Sequence, residues 1–343
     1  MTAQDTGQDS GQDFGRIDVY ASDGAALTVR AFGWIVVSTL FAFLINAYLT
    51  FWLRWPGSDA VFKGGASALA WLQVLIYVLA VAGSIVFVFR SKSRSLRHDG
   101  QTMTAIAAYI TRAAFWSVLL VGIADAAISF LRVEGLLEGL VGAALSQDLG
   151  RNQFRAPTVH LPLIGFSLLI ALRSRTLGFT WLALLVVLAE LQIVVSRFVF
   201  SYEQAFMGDL VRFWYGGLFL FASAYTLVED GHVRVDVLYA GFTERTKGLV
   251  NAIGALLLGI PLCWVVLAIG LGQRSSIITS PLLAFEVTQA GFGMYVKYLL
   301  AGFLAIFAMT MMIQFAATIL QGVADYRGEP GKQKPAAAEP PAH

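Results

Sequence analysis

Long apolar runs, separated by short polar segments rich in Arg and Lys, organise the chain from end to end. They fall at about Ala31–Leu53, Ser67–Phe89, Met103–Leu131, Val159–Leu172, Leu177–Phe200, Phe213–Val228, Leu249–Leu271 and Tyr295–Leu320. A helix needs ~20 apolar residues to cross the hydrocarbon core of a bilayer, and the pattern accordingly predicts eight transmembrane helices. Two connections carry a helical period of their own. Leu136, Leu137, Leu140 and Val141 predict a short interfacial helix within the long link Arg132–Thr158, followed by a loop over Gln147–Pro157. Phe206, Leu210 and Phe213, set against Glu203, Asp209 and Arg212, predict an amphipathic helix over Tyr202–Arg212 that lies along the outer surface ahead of the sixth span. The expected fold is an all-α polytopic membrane protein, eight transmembrane helices with short interfacial helices.

Charge gives the pattern a direction. Arg90, Lys92, Arg94 and Arg97, with His98, form the densest cationic cluster, and Lys and Arg accumulate in cytoplasmic loops. With that cluster inside, an even number of spans puts both termini, Arg173 with Arg175, and Arg234, Arg245 and Lys247 on the cytoplasmic side. Residues 1–30 are polar and acidic, without the cationic start and apolar centre of a cleavable leader, and read as a disordered cytoplasmic tail. Residues 321–343, rich in Pro, Ala, Lys and Glu, read as a second one. Between the tails lie an N-terminal four-helix membrane extension, 31–176, and a four-helix domain, 177–320.

Composition excludes more than it identifies. At 57% hydrophobic and 13% charged the chain is too apolar for an ordinary soluble domain, and a net charge of +2 carries no nucleic-acid signature. The single cysteine, Cys263, lies in an apolar run and is expected to be a buried, inert thiol. His98, His160, His232 and His343 form no pair within a span, so neither a haem bundle nor a metal site is expected, and no cofactor is implied. No Ser/His or Cys/His arrangement at a helix end points to nucleophilic catalysis.

Charges within apolar helices are costly and mark a partner, a cavity or an ion path. Arg112 and Asp125 lie in the third run, Glu190 and Arg197 in the fifth. Arg112 and Arg197 are near enough to helix ends to snorkel to the surface. Asp125 and Glu190 lie deeper. They read as an ion or proton site or, in preference because no second carboxylate shares either helix, as an interhelical hydrogen bond or a contact with a partner subunit.

A polar island, Glu229–Tyr239, separates the sixth and seventh runs. His232, Arg234 and Asp236 alternate in it with Val233, Val235 and Val237, so an extended backbone would part the two sets. A helix would still keep His232 and Asp236 on one face. The trio is expected to hold a cytoplasmic connection in shape, with Arg234 available to lipid phosphate or to a partner carboxylate.

These residues carry a family resemblance. From Arg197-Phe-Val-Phe200 through Met207, Asp209-Leu210 and Ala224-Tyr225-Thr226-Leu227 to Asp230-Gly231-His232-Val233-Arg234-Val235-Asp236, the chain resembles the small membrane subunit of TRAP transporters, the tripartite ATP-independent periplasmic carriers, also called DctQ. Within that family it is most similar to the type labelled for mannitol and chloroaromatic compounds. The resemblance covers about 177–320 and leaves the first four runs outside it. Asp209 stands where the family usually has Glu. Glu286, Thr288, Gly291, Gly293 and Lys297 follow the family's outer segment without its expected Pro.

The resemblance implies a small subunit in the bacterial inner membrane. Its partners would be a large permease subunit, a periplasmic substrate-binding protein and membrane lipid. Sodium-coupled uptake of a small organic acid would be carried by the large subunit while this chain braces it. Arg197, Asp209, Trp214, Tyr225, His232, Arg234, Asp236 and Lys297 become the candidate interface or structural residues, and Trp181, Trp214, Tyr215 and Tyr239 the aromatic anchors at the membrane surface. The rival readings are a membrane-embedded enzyme using the N-terminal half and a self-contained secondary carrier.

Overall fold

The computed structural model describes residues 24–64, 67–175, 178–202, 204–228, 239–287 and 293–332. Among them there is no strand, and each expected span is a helix. Helix α1 covers Gly24–Phe51, α2 Ala68–Arg90 and α3 Leu96–Val133. The short helices α4 (Leu137–Val141) and α5 (Ala143–Leu149) follow, then α6 (Asn152–Arg173), α7 (Phe179–Phe200) and α8 (Ala205–Val228). Helix α9 runs over Glu244–Leu271, α10 over Thr279–Ala284 and α11 over Lys297–Arg327.

Seven of these helices are long and apolar enough to cross a membrane. The eighth expected span is α8, whose 24 residues are long enough, but whose first turns carry Asp209 and Arg212. Local chemistry sets several boundaries. The Ser67 hydroxyl accepts from the Ala70 amide to start α2, and Thr243 does the same for α9 through Thr246. Ser201, in the left-handed region at φ 50°, ends α7. Two π-turns, Ala156–His160 in α6 and Ala255–Gly259 in α9, sit beside the prolines Pro157 and Pro261. Proline has no N–H to donate, and a wide turn accommodates the missing bond.

The described residues of Met1–Ala105, Glu229–Leu262 and Met312–His343 group into one compact unit, and those of Ile106–Val228 and Cys263–Met311 into another. In the first unit α9 and α11 meet backbone to backbone. A Cβ on Gly248 would lie 2.5 Å from the Gly322 carbonyl oxygen, so only glycine permits that approach. Polar contacts close the same unit. Arg30 Nε donates to Asp99 at 2.7 Å with both side chains fully buried, and Arg94 reaches the other Asp99 oxygen at 2.9 Å. Arg97 donates to Asp325 and to the carbonyls of Glu329 and Pro330, each at 2.9 Å.

Those contacts shorten both expected tails, of which residues 1–23 and 333–343 lie outside the described residues. Helix α1 begins at Gly24 rather than after residue 30, and Arg30 belongs to the interior. At the other end α11 continues to Arg327, and the next residues are held down by Arg97. Arg30 with Asp99 and Arg97 with Asp325 tie down residues whose composition reads as disordered. The second unit is built on aromatic packing: Phe221 lies edge-on to Phe115 and Phe303, with ring centroids 5.8 and 4.9 Å away.

Candidate functional site

The strongest concentration of buried chemistry in the second unit surrounds Asp125 of α3. One carboxylate oxygen accepts from Arg155 Nη1 at 2.9 Å and lies 3.0 Å from His160 Nε2. The other accepts from the backbone amide of Tyr295 at 2.7 Å. Asp125, Arg155 and His160 are all fully buried. With Nε2–H of His160 directed at the carboxylate, Nδ1 accepts from the Tyr298 hydroxyl at 2.9 Å, an arrangement that a neutral imidazole satisfies. Arg155 also donates through Nε to the Leu149 carbonyl at 2.7 Å, and its guanidinium lies 4.0 Å from the centre of the Tyr295 ring. The Tyr295 hydroxyl donates to the Gly150 carbonyl and accepts from Arg132.

The π-turn makes this cluster possible. At 3.6 residues per turn, residues five apart point ~140° away from each other, whereas a π-turn repeats every fifth residue or so. Ala156–His160 therefore brings Arg155 and His160 onto one carboxylate, with the Leu161 amide bonded back to the Ala156 carbonyl. The expected loop over Gln147–Pro157 is instead mostly helix, because Leu149, Gly150 and Arg155 are anchored in this network. Neither Arg155 nor His160 was singled out by spacing. The signal available was Asp125 itself, since a lone deep carboxylate requires a donor and Arg155 is among the nearest cations after α3.

A second grip lies at the start of α8. Asp209 accepts from the Met294 amide at 3.1 Å, and Arg212 approaches its other oxygen at 3.4 Å. Phe206, Leu210 and Phe213 are buried in the same unit. The expected surface helix over Tyr202–Arg212 is thus corrected: Glu203 lies outside the described residues, 205–212 are the first part of α8, and the apolar face there packs into protein rather than into the membrane surface. Trp214 is likewise buried, not an interfacial anchor, with Nε1 against Gly122, where a Cβ would come within 2.3 Å. Trp181 and Tyr215 are exposed. Lys297 pairs with Glu286 at 2.5 Å, joining two residues of the outer segment that the resemblance put together.

The remaining candidates separate in burial. Tyr225 is half-buried and packs beside Phe179. Arg112 is half-buried, with no hydrogen-bond partner for its Nε. Glu190 and Arg197, both on α7, are exposed and make no hydrogen bond or ion pair with any described residue. His232, Arg234 and Asp236 lie outside the described residues. No group of three or more His, Cys, Asp or Glu suited to a metal occurs among the described residues.

The Asp125 cluster joins residues from both sides of the expected boundary at 176/177: Asp125, Arg155 and His160 before it, Tyr295 and Tyr298 after it. The C-terminal side of that boundary has known relatives. Residues 183–325 match the family model described as tripartite ATP-independent periplasmic transporters, DctQ component. No curated protein and no solved structure matches the chain at a significant level. Residues 183–325, which nearly coincide with the stretch of family resemblance, thus form a region of the DctQ type, the small membrane component of TRAP transporters, a transporter component and not an enzyme.

Proposed function

We propose that the chain braces the large permease subunit during sodium-coupled uptake of a small organic acid handed over by the periplasmic binding protein, in a system of the type labelled for mannitol and chloroaromatic compounds. The observation that carries this reading is the saturation of Asp125. Both of its oxygens are taken by protein donors at 2.7–3.0 Å, so this deep carboxylate locks helices together instead of offering oxygens to an ion. The four-helix extension has a role in the same reading, supplying Asp125, Arg155 and His160 to grip the family-like part at Tyr295 and Tyr298.

The chain sits in the inner membrane with both termini cytoplasmic, α8 serving as the eighth span and the Arg90–Arg97 cluster inside. His232, Arg234 and Asp236 then form a cytoplasmic contact for the large subunit. The test is assembly. Co-expression with the large permease should give a complex that purifies through a tag on this chain and, with the binding protein, restores sodium-dependent uptake in vesicles. Purification and transport by this chain alone would contradict the reading. In a background with Cys263 replaced, cysteines at Gly57 and Gln147 should label from outside and those at Ser95 and Thr243 from inside. Arg234→Lys and Asp236→Asn should each reduce complex yield and uptake together, since a two-pronged guanidinium contact does not tolerate an ammonium.

A further inference from the structure

Helix α7 packs on the second unit through one narrow stripe, Leu182, Leu185, Ala189 and Ile193. The rest is open: only 11% of its apolar window is buried, against 61% for α11. The exposed side carries Val187, Leu191, Val194 and Phe198, an apolar seam at helical spacing. Helix α2 is almost as bare, with 17% of its window buried, and its exposed side shows Leu75, Val78 and Leu79. The difference is charge. Between Ala68 and Phe89 there is no Asp, Glu, Lys or Arg, and the amide side chain of Gln73 is buried and bonded to Thr50 and the Gly57 amide. Such a face suits lipid.

The open side of α7 does not. Glu190 lies halfway along a 22-residue span, flanks the Val187–Val194 seam and is exposed without a partner among the described residues. Arg197, seven residues on, lies ~10 Å further along the axis and on the same flank. A carboxylate facing hydrocarbon at mid-depth costs several kcal/mol, and no cation among the described residues pairs with Glu190 to offset it. The 22 residues are also too few for tilting to bring Glu190 to either surface. We propose that this face of α7 is the docking surface for a transmembrane helix of the large permease subunit, one that lays small or aliphatic side chains along the Val187–Val194–Phe198 seam and presents a basic residue to Glu190. The assignment of the partner rests on the function proposed above; the occupant's chemistry is set by the charge it must complement. Lipid cannot fill this role, since neither acyl chains nor headgroups place a cation at the bilayer centre.

The experiment is site-specific photo-crosslinking in membranes containing the complete transporter. A photoreactive amino acid is introduced singly at Val187, Val194 and Phe198 on α7 and, as lipid-facing references, at Leu75, Val78 and Leu79 on α2. The α7 positions should give an adduct with the large permease at least about ten-fold stronger than the α2 positions. Replacement of Glu190 by Leu in the Val194 probe should reduce that adduct by a similar factor. Copurification of the permease with wild-type protein, but with α7 adducts no stronger than those from α2, would overturn this inference and leave the proposed function standing. Adducts between two copies of this chain in place of the permease would likewise overturn it. Absence of any copurified permease would remove the proposed function and this inference together.

Discussion

Asp125 and Glu190 are the same kind of feature in sequence and opposite ones in structure. Each is a single carboxylate deep in an apolar helix. Asp125 is fully buried and receives Arg155, His160 and the Tyr295 amide. Glu190 is exposed and its side chain receives nothing from any described residue. A charge in a membrane needs its partner somewhere. For Asp125 the partner is internal and the residue is part of the fold; for Glu190, on the inference above, it comes from the large permease subunit. Asp209 and Glu329 fall between these two. Asp209 is buried and accepts from one backbone amide and one arginine, whereas Glu329 is buried with neither carboxylate oxygen bonded.

Four substitutions measure how far that ordering holds. Asp125→Leu strands Arg155 as an uncompensated buried cation and should destabilise the purified chain by about 3–5 kcal/mol, read as a large fall in thermal midpoint in detergent. An unchanged midpoint would mean the cluster is not part of the fold's support. Asp209→Ala removes the acceptor for the Met294 amide and should cost about 1–3 kcal/mol by the same assay. Glu329→Gln acts through pH. Burial pushes the Glu329 carboxyl above the usual range, so wild-type protein loses stability as pH rises from the unfolded value near ~4.3 through the folded one. The variant should show a flatter pH profile and exceed wild type in stability above that window. Glu190→Gln should leave the midpoint of the isolated chain within about 0.5 kcal/mol of wild type. Uptake per assembled complex should also stay sodium-dependent in that variant, and loss of sodium dependence with normal assembly would make Glu190 an ion site.

The helices and their order are readable in the chain because hydrocarbon imposes a length and a composition on each of them. The family resemblance is readable because the Ala224–Leu227 and Gly231–Asp236 strings stand at a spacing that resembles the family's. The Asp125 cluster is only half legible. Its carboxylate stands out against Ala124 and Ala126, but Arg155 and His160 reach it through a π-turn, and no heptad or 3.6-residue count anticipates a five-residue turn. Trp214 shows a different limit. Tryptophan is as much at home at a membrane surface as against a glycine, and the glycine it packs on is nearly a hundred residues away in α3. The segment Tyr202–Arg212 has a real amphipathic period, but that period does not say whether the apolar face meets lipid or protein. Glu190 could be located from sequence, but its exposure depends on which stripe of α7 the rest of the unit covers.

The fold completes Asp125 internally and, on the proposed reading, leaves Glu190 for the large permease subunit. The most direct measurement is the molar ratio of large permease to this chain after affinity purification of Glu190→Leu, taken beside the thermal midpoint of the same variant purified alone. The account predicts a ratio at least about ten-fold below wild type with an unchanged midpoint. A wild-type ratio, with or without a shift in the midpoint, would contradict it.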